Sequence, residues 1–153
     1  MSRYTRYVLR VLSLAALLLA TTPVTHAATT YYLSPDGNDG RAGTSDSPWQ
    51  HFSFALPKLH AGDTLILKDG IYTGGRTGYI NLKCNGRDSN GSDGSEGAVI
   101  TVKAEHERQA FLQGDGSAIP LLVRNCRWWA FEGLRVEDGD FQGGGYAGNS
   151  YGG

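Results

Sequence analysis

Beyond the first thirty residues, the apolar positions fall in short runs set apart by glycine, asparagine and aspartate. The runs are YYL (Tyr31 to Leu33), TLIL (Thr64 to Leu67), INL (Ile80 to Leu82), VITV (Val99 to Val102), AFL (Ala110 to Leu112), PLLV (Pro120 to Val123) and WWAFEGLRV (Trp128 to Val136). Short β-branched and aromatic runs with this punctuation predict strands, and an all-β chain is expected. Four runs share one form, apolar-any-apolar-basic: LILK ends at Lys68, INLK at Lys83, ITVK at Lys103 and LLVR at Arg124. The tetrads follow one another at steps of 15, 20 and 21 residues, a spacing that suits solenoid coils better than hairpins. Side chains alternate along a strand, so the two apolar residues of each tetrad face the interior and the basic residue stands outside.

One helix is predicted. Ser47 is placed to cap it, Pro48 to take its first position, and Gln50 to complete a capping box. Trp49, Phe52, Leu56 and Leu59 then form an apolar stripe at helical spacing, and Pro57 ends or kinks the helix. The preceding stretch SPDGNDGRAGTSDSPWQ (Ser34 to Gln50) supplies the tight turns that lead from the YYL strand to this cap. Gly62 and Asp63 then turn the chain into TLIL.

The amino-terminal segment sets the compartment. Arg3, Arg6 and Arg10 precede a ten-residue apolar core, Val11 to Ala20, and TTPVTHA closes the segment with small residues at Thr25 and Ala27. This is the pattern of a secretory signal peptide cut after Ala27, and the apolar run is too short to span a bilayer. The chain left after cleavage is expected to be secreted or periplasmic, with no membrane span. It carries 11 basic and 15 acidic residues, a formal charge of −4. Nucleic acid is excluded as a partner, because phosphate binding needs a concentrated positive face. All 22 glycines fall after the cleavage point, a density well above the ordinary ~7% that marks a turn-rich single domain.

The order YYLSPDGNDGRAGTSDSPWQ, then FALPKLHAGDTLILKDGIYTG, then GAVITVKAE and WWAFEGLRVEDG resembles the amino-terminal region of right-handed parallel β-helix proteins of the pectate-lyase-like superfamily. The resemblance spans residues 31 to 138 and is most specific in GDTLILKDGIY. Together with the amino-terminal leader and the Gly-rich end, it divides the chain into a signal peptide over 1–27, a strand, loop and capping helix over 28–62, β-helix rungs over 63–140 and a Gly-rich tail over 141–153. Rung one runs from Asp63 to Cys84, rung two from Val99 to Cys126, and a third begins at Trp128. The polar connection Asn85 to Gly97 projects from the first rung as a loop. The resemblance also implies a polysaccharide lyase that removes a proton alpha to a uronate carboxylate, with a basic side chain as base and Ca²⁺ held by acidic residues. In such enzymes base and cluster lie on later rungs, so no catalytic residue is assigned. The chain reads as an amino-terminal fragment, inactive alone, with acidic polysaccharide of the pectate or alginate type as partner. The alternatives are a non-catalytic carbohydrate-binding module and a cell-envelope or adhesion β-helix.

Several residues remain candidates within that frame. Lys68, Lys83, Lys103 and Arg124 form either an outward basic ladder for an acidic polysaccharide or ordinary solvated strand ends beside Glu105 and Glu107. Asp88, Asn90, Ser92, Asp93 and Glu96 space oxygen donors as in a Ca²⁺ loop, but Asp93 occupies the sixth position, where an EF-hand needs glycine. Trp128 and Trp129 face opposite ways on a regular strand, leaving one outside to stack on a sugar or cover apolar surface. Cys84 and Cys126 each close a rung, about 4.8 Å apart if equivalent, as a disulfide or as stacked thiols. His51, His60 and His106 lack metal-ligand spacing. The terminal FQGGGYAGNSYGG (Phe141 to Gly153) shows no cap, so an open last strand offers edge-to-edge self-association.

Overall fold

A computed structural model describes residues 26–116 and 118–137. Residues 1–25, which make up most of the signal segment expected over 1–27, and the whole of the tail expected over 141–153 lie outside the described residues. Among the described residues, nine strands and two short α-helices follow in chain order: β1 (Thr30–Leu33), α1 (Phe52–Ala55), β2 (Thr64–Leu67), β3 (Gly70–Tyr72), α2 (Gly74–Thr77), β4 (Ile80–Lys83), β5 (Ile100–Ala104), β6 (Ala110–Gln113), β7 (Leu121–Arg124), β8 (Trp129–Glu132) and β9 (Arg135–Glu137). Every strand pairing is parallel. Sheet one has the order β1-β2-β5-β8, sheet two β3-β6-β9 and sheet three β4-β7. The chain visits the three sheets in turn and begins again, so each circuit lays one strand beside its predecessor in each sheet. The protein is therefore all-β with parallel sheets.

The register decides which residues stack. Leu65 pairs with Val102 and Val102 with Phe131 in sheet one; Tyr72 pairs with Leu112 and Leu112 with Val136 in sheet two; Ile80 pairs with Leu121 in sheet three. Alternate residues of β2, β4 and β5 are buried, namely Leu65, Leu67, Ile80, Leu82, Ile100 and Val102. Each such side chain contributes about 1.5–3 kcal/mol by leaving water. LILK, INLK and ITVK obey the alternation, LLVR does not because its Val123 is exposed, and the tetrads do not mark one coil each. LILK and INLK belong to different sheets of one circuit, and LILK is answered by ITVK, INLK by LLVR. A circuit consumes two tetrads because it must supply strands to three sheets.

The helix predicted from Ser47 is also corrected. Trp49 is extended and bridges Leu33 in parallel, donating its N–H to Tyr32 O at 2.9 Å while its carbonyl accepts Ser34 N–H at 2.9 Å. Ser47 instead pairs with Thr44 in a tight antiparallel bridge. The helix starts only at Phe52 with His51 as N-cap, and a 3₁₀ turn over Leu56–Lys58, with Pro57 in its first positions, carries it to its end. Asp39 takes the role given to Ser47: its Oδ1 accepts the N–H groups of Gln50 at 2.9 Å and His51 at 3.0 Å, and its Oδ2 lies 2.7 Å from His51 Nδ1. The stripe itself is correct, since Trp49, Phe52, Leu56 and Leu59 are all buried. Extended pairing with β1 satisfies Trp49's backbone more completely than a first helical turn, whose N–H groups have no internal partner.

The connection after β4 leaves Asn85 to Ser89 exposed and then returns to the strand. Asn90 folds back along β4, its Oδ1 accepting Lys83 N–H at 2.7 Å and its Nδ2 donating to Asn81 O at 2.6 Å, while Gly91 bridges Cys84. A Cβ on Gly91 would stand 2.4 Å from Leu82 Cδ1, so the loop lies directly over that core leucine. Cys84 and Cys126 form a disulfide with Cα atoms 4.8 Å apart, joining the turn after β4 to the segment after β7.

Candidate functional site

The chain turns from sheet one to sheet two at Gly70, Arg108 and Gly133, and the last two adopt left-handed φ values of 62° and 64°. This repeated corner collects charge. The β2–β5 register runs on past the strands, setting Asp69 beside His106, whose Nδ1 lies 3.0 Å from each Asp69 carboxylate oxygen. Glu105 joins them, and the ligand atoms of Asp69, Glu105 and His106 all lie within 4.8 Å of one another. Next to the trio, Lys103, Ala104, Glu107, Glu132 and Gly133 line an open cleft of about 250 Å³. Lys103 is flanked in register by Ile66 and Glu132.

The corner's field is negative. The Tyr72 hydroxyl, sealed in the core behind it, has its pKa raised by burial and further by the carboxylates of Asp69 and Glu105. That hydroxyl donates to Lys68 O at 2.6 Å and shares Leu33 O at 3.0 Å. The corner offers carboxylates and an imidazole to hydroxyl groups or to a cation. A polyanion meets it favourably through Lys103 or Arg108, or with a cation between.

The other predicted residues are scattered around the stack. Lys68 points back to the opening loop and donates to Ser45 O at 3.0 Å. Lys83 and Arg124 are register partners on sheet three, with Lys83 Nζ 3.2 Å from Asp88 Oδ2. The four basic tetrad ends therefore make no continuous ladder: Lys68 and Lys103 are out of register with each other, and only Lys83 and Arg124 stack. Trp128 adopts φ 60° and is half exposed, while Trp129 donates from Nε1 to Ser92 O at 2.9 Å and stacks on Phe131 at 6.2 Å.

The Asp88–Glu96 donors do not converge as a Ca²⁺ cage. Asn90 is spent on the β4 backbone, and Asp93 accepts Asn85 Nδ2 at 2.8 Å and Arg127 N–H at 2.9 Å, hydrogen bonds that lower its pKa. Asp88, Asp93 and Glu96 form no three-donor group among the described residues. Asp69, Glu105 and His106 do converge, but two carboxylates and an imidazole fall short of the six to eight oxygens that Ca²⁺ prefers. Sequence reasoning missed this trio because Asp69 and His106 are brought together only by register; the one signal was an acidic residue one place after the basic end in LILKD and two places after it in ITVKAE.

No family model matches the chain. A pectate lyase of Emericella nidulans is 30% identical over 118 residues, covering 72% of this chain and 28% of that protein. Pectate lyase L of Dickeya dadantii is 30% identical over 119 residues, covering 74% of this chain and 27% of that protein. The chain is distantly similar to pectate lyases. It spans about a quarter of the length of these curated relatives. A solved lacto-N-biosidase from Eubacterium ramulus shares the fold over 77% of this chain and 22% of its own, with TM-score 0.53 and 18% identity.

Proposed function

We propose that the chain is the amino-terminal part of a secreted right-handed parallel β-helix protein related to polysaccharide lyases, with acidic polysaccharide of the pectate or alginate type as its ligand. The observation that carries this reading is the cyclic delivery of parallel strands to three sheets, in a chain 30% identical to two pectate lyases. The disulfide and the secretory leader support an oxidising destination. In this reading the described circuits are an architectural base, and the rungs that would hold a catalytic base lie beyond them. Arg124 stacked on Lys83 supplies positive charge for uronate carboxylates, and Lys103 adds a cation at the otherwise negative corner.

Affinity electrophoresis tests the reading. The protein should be retarded in gels containing polygalacturonate or alginate and unaffected by a neutral glucan. The Lys103→Ala/Arg124→Ala double variant should lose most of the retardation. Equal mobility in acidic and neutral gels would contradict the proposed ligand.

A further inference from the structure

We propose that the Asp63 carboxylate is the receptor for the amino terminus created by cleavage after Ala27, so that processing completes the first turn of the fold. The inference rests on the export reading above and adds a binding site for the new end. Asp63 is fully buried at the entrance to β2, although it carries a charge-bearing group. Its Oδ1 accepts Thr29 N–H at 2.8 Å and its Oδ2 accepts His60 N–H at 2.9 Å. The titratable side chains that face it are His26, with Nε2 3.0 Å from Oδ1, and His60, with Nδ1 3.9 Å from Oδ2; their rings lie 4.8 Å apart. Cleavage after Ala27 removes His26, the nearer of the two partners.

The same cut supplies a replacement. Hydrolysis of the Ala27–Ala28 bond by an export endopeptidase adds one water, leaving a carboxylate on Ala27 and an α-ammonium on Ala28. Residues 26–28 are exposed, as a protease requires. Ala28 then packs against Gly62, where an added Cβ would stand 3.4 Å from Ala28 Cβ. The Ala28 nitrogen precedes by one residue the Thr29 nitrogen already bonded to Asp63, ~3.8 Å away at most along the backbone. The Thr29 and His60 N–H groups remain as donors to the buried carboxylate, and the new ammonium restores beside it the charged partner position that His26 vacates.

The charged amine is the stabilising form, so its pKa in the folded chain should lie above the ordinary ~7.7–8.0. The added stability is full below that range and disappears as pH rises through the folded-state value. Chains released from a cleavable fusion so as to begin at Ala28, with the α-amine free or enzymatically acetylated, test this. At pH 7 the free-amine chain should melt higher by ~5 °C or more, and Asp63→Asn should abolish the gap. Isotope labelling of the α-amine gives its pKa by NMR without any variant. Coincident melting of the free and acetylated chains, or an amine titrating at its ordinary value, would overturn the receptor. Separately, the mass of the exported protein should match a chain starting at Ala28; another start would overturn the cleavage premise while leaving the defined chains to judge the receptor.

Discussion

Tyr72, Leu112 and Val136 occupy one column of sheet two, on successive strands and facing the same way, yet the first two are sealed from solvent and the third keeps 42% of its surface exposed. Tyr72 is covered from the amino-terminal side by Phe52, whose ring centroid lies 5.6 Å away, and from the other side by Leu112. Leu112 lies between its two column neighbours. Val136 has Leu112 on one side, and among the described residues no later strand of sheet two covers the other. Burial in this architecture thus depends on having a neighbour on both sides of the stack more than on the residue's own hydrophobicity. The same gradient runs along sheet three, from buried Ile80 and Leu82 on β4 to half-exposed or exposed residues on β7.

Substitutions along the column should break it unequally. Leu112→Ala removes a fully enclosed side chain and should cost about 2–5 kcal/mol, read as a fall in the thermal or denaturant midpoint. Replacing Cys84 and Cys126 by serine frees a loop spanning 42 residues and should cost about 2–4 kcal/mol, with the loss matched by adding reductant to the unmodified protein. Asp39→Asn weakens the hydrogen bonds that fix the entrance to α1 and should cost about 1–3 kcal/mol. Burial acts to raise the Asp39 carboxyl, but bonds from the His51 and Gln50 N–H groups and the His51 side chain outweigh it, leaving its pKa below the ordinary 3.8. A lowered pKa contributes stability that is full above 3.8 and lost as pH falls through the folded-state value, so Asp39→Asn should flatten that part of the acid unfolding profile. Val136→Ala should cost least, below about 1 kcal/mol, although it stands in the same column as Leu112. Similar losses at Leu112 and Val136 would mean that the carboxyl-terminal face is covered in solution.

Much of the fold was legible because it follows from local pattern. The apolar runs correspond to strands, and TLIL matches β2 residue for residue. Alternation, which is local, picked out the inward positions of LILK, INLK and ITVK, and these are buried; Val123 of LLVR is exposed because burial also needs a covering neighbour. What escaped depends on pairing. Gly70–Tyr72 is too short and too glycine-rich to declare itself a strand, and becomes one only because β6 lies beside it. Trp49 carries a helical stripe but takes extended backbone because Leu33 offers a partner. Asn90 looks like a cation donor and is instead a clasp on β4. The corner trio of Asp69, Glu105 and His106 is a product of register, and no spacing within one strand announces it.

The most direct test of the functional account combines binding with turnover on one sample. The purified protein, incubated with pectate and with alginate, is followed at the ultraviolet band of unsaturated uronides, and the same mixture is assayed for bound protein. The account predicts protein bound to the acidic polymer with no growth of that absorbance. Absorbance that rises with time and protein concentration would contradict it by showing that these circuits hold a complete catalytic centre, and absence of binding to either polymer would contradict it by removing the ligand.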